Sequence, residues 1–211
     1  MLRMPALEPF DPETLADLKF RAKKQLRLRL RGLRGAYPEQ VLAQAGARIV
    51  ERIKTLPAFL EARSVGLFWP LLQRREVDVR ELAELALREQ KRLYFPAMSA
   101  TASGFETSFR RVTALTELAD RGQRFFEPPA EAERAARGDI ELLIVPALGV
   151  AGDGHRLGYG SGFYDATLPD FCPPARAAAV AYDFQLLGEL PTTDSDVACQ
   201  FVVTDRRLIE L

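Results

Sequence analysis

The first sixty residues carry apolar positions at a helical spacing. After Asp11 and Pro12, a pair typical of a helix start, apolar residues recur every three or four positions as far as Arg34. They are Leu15, Leu18, Ala22, Leu26, Leu30 and Leu33. This spacing predicts a long amphipathic helix that stops before Gly35. A second helix is predicted over 38–56, with a buried stripe of Val41, Ala45, Ile49 and Ile53.

From residue 64 onward, short apolar runs alternate with helical stretches. Strands are predicted over 64–70, 91–98, 104–112, 140–150, 176–184 and 200–211, with a helix over 78–90. The run 140–150 is the most apolar and is typical of the centre of a parallel sheet. We therefore predict a layered, Rossmann-like α/β fold with a largely parallel central sheet and an N-terminal helical hairpin. One domain is predicted over 1–211, with residues 1–10 as a flexible tail.

Composition narrows the class of protein without naming a function. The 211 residues are 47% hydrophobic and 27% charged, which is ordinary for a globular protein, and the formal net charge of zero favours neither nucleic acid nor membrane as a partner. No segment has the pattern of a signal peptide or a membrane span, and a cytoplasmic monomer is expected. Cys172 and Cys199 are predicted to stay reduced, and the single histidine, His155, excludes a multi-histidine zinc site and is expected in an exposed loop.

Positive charge is concentrated on the first helix. Eight basic residues and no acidic one lie between Lys19 and Arg34. Lys19, Lys23, Arg27 and Arg31 are spaced four apart and therefore share one face. This face is either simply solvated or free to bind an anionic ligand.

A glycine-rich loop follows the most apolar strand, in the stretch "DGHRLGYGSGFYDATLP" (153–169). Six of the 14 glycines lie between Gly149 and Gly162, and ligands of open α/β sheets bind beyond the carboxyl ends of the strands. If Phe163 begins a helix, its free N–H groups favour an anion. Neither standard nucleotide motif fits, so the loop is either a phosphate-binding loop or a structural turn.

Asp165 stands directly behind this loop, where a carboxylate would repel a phosphate unless a divalent cation lay between them. Mg²⁺ takes one or two carboxylates together with substrate oxygens. Alternatively, Asp165 caps the helix or pairs with an arginine. Asp196 could supply a second carboxylate or belong to a turn, Glu76 could be a polar contact or a helix start, and Trp69 could be a core residue or part of a site.

Taken in order, these segments resemble the 5-formyltetrahydrofolate cyclo-ligase family, also called 5,10-methenyltetrahydrofolate synthetases. The most specific match is "IELLIVPALGVAGDGHRLGYGSGFYD", which resembles the family's strand followed by G-x-R-L-G-x-G-x-G-[YF]-Y-D. Further matches are "AYDFQLLGELPTTDSDVACQFVVTD", "AKKQLRLRLRGL" and "FWPLLQRREVDVREL". Three departures stand out: the segment from Pro70 to Glu76 is about two residues longer than the common pattern, and Gln200 and Ala166 replace an acidic and a basic residue.

The resemblance implies ATP-driven, Mg²⁺-dependent closure of 5-formyltetrahydrofolate to 5,10-methenyltetrahydrofolate without a covalent catalytic residue. The implied ATP-binding residues are Lys23, Lys24, Arg27, Arg156, Leu157, Gly158, Tyr159, Gly160, Ser161, Gly162, Phe163 and Tyr164. The implied folate-binding residues are Trp69, Glu76, Tyr159, Gly160, Ser161, Gly162 and Phe163. Asp165 and Asp196 are the implied Mg²⁺ ligands, and Lys23, Arg27 and Arg156 are expected to act by charge and positioning.

Two other functions are compatible with parts of the sequence. The longer segment before Glu76, together with Gln200, would suit a relative that binds nucleotide or folate without turnover. A nucleic-acid-binding module would use the basic helix, but the neutral overall charge and the absence of a recognised motif argue against it.

Overall fold

The computed structural model describes residues 11–102, 104–122 and 125–211. The helices are α1 (Pro12–Ala36), α2 (Glu39–Lys54), α3 (Pro57–Glu61), α4 (Arg80–Arg88) and α5 (Phe163–Phe171). The strands are β1 (Ser64–Gly66), β2 (Arg92–Thr101), β3 (Gly104–Val112), β4 (Ala119–Asp120), β5 (Phe126–Glu127), β6 (Leu142–Pro146), β7 (Gly149–Ala151), β8 (Arg156–Leu157), β9 (Arg176–Val180), β10 (Leu186–Leu187), β11 (Phe201–Val203) and β12 (Leu208–Glu210).

The central sheet has seven strands in the order β12-β11-β9-β6-β1-β2-β3. The five inner strands are parallel to one another. The edge strands β12 and β3 pair antiparallel with β11 and β2, respectively. Helices occur between most of the parallel strands, as crossover connections require. The predicted α/β fold with a largely parallel sheet is confirmed.

Strand β6 shows why the sheet is central to the core. Leu142 and Ile144 belong to the hydrophobic cluster on the side of α2, α3 and α4, whereas Leu143 and Val145 belong to the cluster on the side of α5. A strand with both faces covered must be apolar at every position, and this accounts for the continuous apolar run in the sequence.

Helix α1 is packed less completely than its apolar pattern predicts. It begins as expected, with Asp11 accepting a hydrogen bond from the backbone N–H of Thr14 at 2.9 Å. Of its predicted apolar stripe only Leu30 is fully buried, while Leu15 and Leu18 are more than 40% exposed. The amphipathic helix is present as predicted, but its apolar stripe is mostly not buried, because mainly the C-terminal half of α1 lies against the rest of the protein.

Several element boundaries differ from the prediction. The expected strand over 140–150 is divided into β6 and β7, because β7 joins β8 and β10 in a separate three-stranded sheet. The expected strand over 200–211 is an antiparallel pair, β11 and β12, and the expected strand over 64–70 ends at Gly66. In α2, Val41 is 44% exposed rather than buried.

Two further expectations concern the N-terminal residues and the possibility of a membrane-spanning helix. The predicted tail at 1–10 lies outside the described residues. Among the residues that the structure does describe, no helix is long and apolar enough to cross a membrane.

Candidate functional site

A cavity of about 1230 Å³ lies where three parts of the chain meet. Its walls come from the basic face of α1, from the segment that follows β1, and from the loop between β8 and α5. Residues near 193–196 close the remaining side. The cavity therefore lies beyond the carboxyl end of the central strands, where open α/β sheets bind ligands.

The basic face of α1 is docked onto the glycine-rich loop. The Arg27 Nε donates to the carbonyl oxygen of Gly158 at 3.0 Å, and the Arg31 Nη2 donates to that of Tyr159 at 3.0 Å. One and two turns nearer the N-terminus of the helix, respectively, Lys23 and Lys19 continue this face. Lys23 lines the cavity and lies 2.5 Å from Asp196 Oδ2. A merely solvated face is thus excluded for Lys23, Arg27 and Arg31.

The loop itself needs glycine at two of its three alternating positions. Gly160 has φ +102° and Gly162 has φ +73°, both in the region that favours glycine, whereas Gly158 is not among the positive-φ glycines. Gly162 is the N-cap residue of α5, and it has no side chain that could accept a hydrogen bond from the first backbone N–H groups of the helix. The Phe163 N–H lies 3.5 Å from Ser161 Oγ, and the other N–H groups of the first turn of α5 are available to an anion in the cavity.

Other glycines in the same stretch are required by packing. A Cβ on Gly154, which has φ +85°, would overlap the carbonyl oxygen of Cys199, and one on Gly149 would lie 2.8 Å from a methyl carbon of Leu30. The high glycine content therefore reflects close backbone packing as well as ligand approach. Leu157, expected in the ATP-binding loop, is 2% exposed, and its side chain packs with Leu30 rather than lining the cavity.

Asp165 is paired with an arginine, as one of the two interpretations of the sequence proposed. Arg156 Nη2 donates to Asp165 Oδ1 at 2.7 Å, and Nη1 donates to the carbonyl oxygen of Val197 at 2.5 Å. The Arg156 side chain is only 3% exposed, while that of Asp165 is 36% exposed. Asp165 thus presents its outer edge to the cavity while Arg156 fixes its orientation.

Asp196 is held on the opposite wall. Its Oδ2 accepts from the backbone N–H of Thr193 at 2.7 Å as well as from Lys23. Although burial by itself raises the pKa of Asp196, these hydrogen bonds outweigh it and hold the pKa below its usual value. No group of three or more potential metal-ligating side chains was found among the described residues. Two cavity-lining carboxylates nevertheless suit Mg²⁺, which completes its shell with substrate oxygens and water.

Trp69 and Glu76 both line the cavity, at its other end. The Trp69 ring packs near Phe95 and Phe126, with ring centroids 6.2 Å apart in each case, so this side chain belongs both to the core edge and to the site. Glu76 is 7% exposed and accepts the backbone N–H of Leu71 at 2.9 Å. Burial raises the pKa of Glu76 above its usual value. The longer segment before Glu76 therefore does not carry it away from the cavity.

The remaining sequence predictions are distributed as follows. Lys24 is exposed and does not line the cavity, although it neighbours Lys23 in sequence. Gln200 accepts the backbone N–H of Ala177 at 2.7 Å, so its amide completes a strand contact away from the site. His155 is half-buried rather than exposed, with Nδ1 3.1 Å from Asp153, and both cysteines are free thiols.

Sequence reasoning missed two of the three arginines that surround Tyr159, namely Arg34 and Arg74. The guanidinium carbons of Arg31, Arg34 and Arg74 lie 5.8, 5.5 and 5.7 Å from the centroid of the Tyr159 ring. Arg34 follows Arg31 by three residues and therefore does not belong to the series of basic residues spaced four apart. Arg74 lies in the longer segment before Glu76, where no short motif marks it as a site residue.

The charged side chains that line the cavity favour an anionic ligand. Its lining contains three anionic side chains, those of Glu76, Asp165 and Asp196, against seven cationic ones. The seven are Lys23, Arg27, Arg31, Arg34, Arg74, Arg75 and Arg156. A large cavity lined mainly by cations at the carboxyl edge of a parallel sheet, with a helix start in its wall, is typical of an α/β protein that binds anionic ligands.

Comparison with known proteins specifies the family. The sequence model of the 5-formyltetrahydrofolate cyclo-ligase family matches residues 19–205. The chain is 29% identical over 179 residues to the 5-formyltetrahydrofolate cyclo-ligase of Escherichia coli (strain K12), which covers 84% of this chain and 96% of that protein. It is 41% identical over 80 residues to the corresponding protein of Mycolicibacterium smegmatis, or 38% of this chain and 41% of that one. The chain belongs to the 5-formyltetrahydrofolate cyclo-ligase family and is a ligase of that class.

Solved structures agree with the family assignment. The NMR structure of Aquifex aeolicus 5,10-methenyltetrahydrofolate synthetase superimposes with a TM-score of 0.76 at 28% identity, covering 90% of this chain and 92% of the other. A 5,10-methenyltetrahydrofolate synthetase from Mycoplasma pneumoniae shares the fold, with a TM-score of 0.68 at 20% identity, over 87% of this chain and 98% of the other.

Proposed function

We propose that this enzyme closes 5-formyltetrahydrofolate to 5,10-methenyltetrahydrofolate at the expense of ATP, with release of ADP and phosphate. The observation that carries the proposal is the cavity, in which the basic face of α1 meets the glycine-rich loop above the start of α5. Two anionic substrates must meet in this reaction. A large cavity lined mainly by cations suits both of them.

The ATP phosphates would lie between α1 and the start of α5. Lys23 and Arg27 face the cavity from the helix, and the loop from Arg156 to Tyr164 faces it from the other side. The N–H groups at the start of α5 would donate hydrogen bonds to phosphate oxygens at the same place. Lys24 and the Leu157 side chain, which do not line the cavity, take no direct part in this arrangement.

Mg²⁺ would be held by Asp165 and Asp196. Each carboxylate is already fixed by a cationic neighbour, Arg156 for Asp165 and Lys23 for Asp196, so the two side chains are oriented before any metal arrives. Mg²⁺ bound there would neutralise charge on the phosphate chain during transfer.

The folate would occupy the end of the cavity formed by Trp69, Glu76 and Tyr159. Trp69 offers a half-buried ring face to a planar pterin, and the Glu76 carboxylate can accept the pterin's N–H donors. The loop residues from Gly160 to Phe163 also line the cavity and would contact both substrates.

The chemistry then needs positioning rather than a covalent catalyst. The formyl oxygen attacks the γ-phosphate, which breaks the bond to ADP and leaves an activated imidate-like phosphate at N5. N10 attacks the formyl carbon and loses its proton to solvent, the bond from that carbon to the phosphorylated oxygen breaks, phosphate departs, and the ring closes. Lys23, Arg27 and Arg156 would stabilise the charge on the phosphoryl oxygens, in line with the general requirements of phosphoryl transfer.

The direct test is turnover. The protein is incubated with 5-formyltetrahydrofolate and MgATP, and the near-ultraviolet absorbance of the methenyl product is followed. Steady formation of product with stoichiometric ADP supports the proposal. Binding of ATP without any product at high enzyme concentration would instead identify a relative that binds the substrates without turnover.

We also propose that the enzyme works in the cytoplasm as a monomeric single domain that binds neither nucleic acid nor membrane. Residues as far apart as Lys23 and Asp196 line one cavity, which supports a single functional unit within one chain. Sedimentation analysis across a range of concentrations tests the monomer, and a second species that holds all the activity would contradict it.

A further inference from the structure

Arg34 is a buried cation for which the reaction as proposed has no role. It is 4% exposed, although it lies on α1, most of which is open to solvent. Burying a guanidinium is costly unless charge and hydrogen bonds compensate, so its position requires a reason. The groups that face it supply one.

The Arg34 Nη2 donates to the hydroxyl oxygen of Tyr159 at 2.8 Å. Glu76 lines the same cavity as Tyr159, and the Tyr159 hydroxyl and the Glu76 carboxyl group each affect the pKa of the other, so the two groups are neighbours. Arg34 is not within ion-pair distance of Glu76 but acts on it by charge. The three side chains therefore form a relay that runs from α1 through the loop to the folate end of the cavity.

The backbone at Arg34 is fixed independently of this relay. Arg75 Nη1 donates to the carbonyl oxygens of Gly35 and Tyr37 at 2.6 and 2.7 Å, which satisfies groups left free at the end of α1. The Arg34 side chain is therefore not needed to hold the end of α1, and it donates to the Tyr159 hydroxyl instead. We propose that Arg34 is a positioning residue for the folate end of the site, which holds the Tyr159 hydroxyl against Glu76 and makes folate binding depend on α1. The inference rests on the proposed function, because it assigns Glu76 and Tyr159 to the folate.

The role of Arg34 can be measured through the pKa of Glu76. Positive charge opposes the effect of burial on the pKa of this carboxyl group, so removing Arg34 should raise that pKa further. The groups that face Glu76 are Arg34 from α1, Arg74 from its own segment, Tyr159 from the loop, Tyr164 from α5 and the Tyr182 hydroxyl, which donates to the Glu76 carbonyl oxygen at 3.4 Å.

The test compares Arg34→Met, Arg34→Lys and Tyr159→Phe, with Arg29→Met as a control on an exposed part of α1 outside the cavity. Calorimetric titration measures the binding of 5-formyltetrahydrofolate and of ATP separately. Arg34→Met should weaken folate binding about tenfold, which is typical of a lost charge-assisted hydrogen bond, and change ATP binding less than about twofold. The acid limb of the pH profile of folate binding should move to higher pH, and Arg34→Lys should restore most of the loss.

A double-mutant cycle separates positioning from a structural role. If Arg34 acts through Tyr159, the Arg34→Met effect largely disappears in the Tyr159→Phe background. Equal losses of folate and ATP binding, an effect that persists in that background, or an unmoved pH profile would each overturn the proposal. Wild-type protein that binds 5-formyltetrahydrofolate without converting it would contradict the proposed turnover, while the binding comparison would still decide the role of Arg34.

Discussion

Replacing Gly160 with alanine tests the glycine-rich loop at a position that has a positive φ and lines the cavity. Its φ of +102° lies in a region that residues with a Cβ adopt at a cost of about 1–3 kcal/mol. Space is not the obstacle, since the added Cβ would lie 3.5 Å from the Arg27 guanidinium, an ordinary contact. The strain must therefore appear either as lost stability or as a loop that relaxes and binds substrate less well.

Because Gly160 is exposed, we expect most of that free energy to appear in binding. A cost of about 1–3 kcal/mol corresponds to about a fivefold to 150-fold rise in the KM for ATP. Initial rates at saturating 5-formyltetrahydrofolate measure KM, and urea unfolding measures stability. Gly152→Ala is the matched control, since Gly152 has an ordinary φ, open space at its Cβ and no place in the cavity. If the two variants are alike in both measurements, the conformational argument for the loop is wrong.

Three further changes test other parts of the structure. Asp165→Asn should lower turnover at limiting Mg²⁺ much more than it lowers the melting temperature, and unchanged Mg²⁺ dependence would remove Asp165 from the metal site. Glu76→Gln should stabilise the fold at pH 7, because the pKa of Glu76 is raised in the folded protein and the ionised carboxylate therefore lowers the stability above that pKa. This gain should vanish below about pH 4, where the carboxyl group is protonated in both the folded and the unfolded chain. Melting curves at the two pH values measure this, and the same variant should raise the KM for 5-formyltetrahydrofolate; a stability gain that is equal at both pH values would refute the argument. Gly154→Ala should cost about 2–4 kcal/mol in urea unfolding, because its Cβ would overlap the Cys199 carbonyl at a positive φ, and a loss below about 1 kcal/mol would show that the loop yields easily.

The α/β fold could be predicted from the sequence because a strand buried on both faces is a continuous apolar run, and such a run is visible without knowing which strands pair with it. The continuous apolar run at 140–150 needs both faces covered, and the structure covers both faces of β6. Where that run divides could not be predicted, since β7 pairs with β8 and β10 in another sheet. Such pairing depends on partners distant in sequence, and local hydrophobic spacing does not encode it.

Helix α1 illustrates the same limit for a helix. Its apolar spacing correctly predicts a helix, but not that Leu15 and Leu18 stay exposed while Arg34 is buried. Periodicity reports which side chains share a face, whereas burial depends on what lies opposite that face. For α1 this is the glycine-rich loop and the end of the cavity.

The candidate site divides in a similar way. The glycine spacing, Asp165 and the basic residues Lys23 and Arg27 were recognisable from the sequence, because each belongs to a short local motif. The pairing of Arg156 with Asp165 was foreseen only as an alternative to a metal role, and the structure shows that an oriented carboxylate can still face the cavity. Which of the glycines serve packing also required the structure.

The sequence by itself determined the class of fold and the family, because these depend on residue types at short spacings along the chain. Only the tertiary structure decided which side chains meet: that Lys23 faces Asp196, that Tyr159 lies among three arginines, and that Lys24 points away. The physical reason is distance along the chain. Contacts such as that between Arg34 and Tyr159 join residues 125 positions apart, and their formation depends on the packing of the whole sheet and its helices.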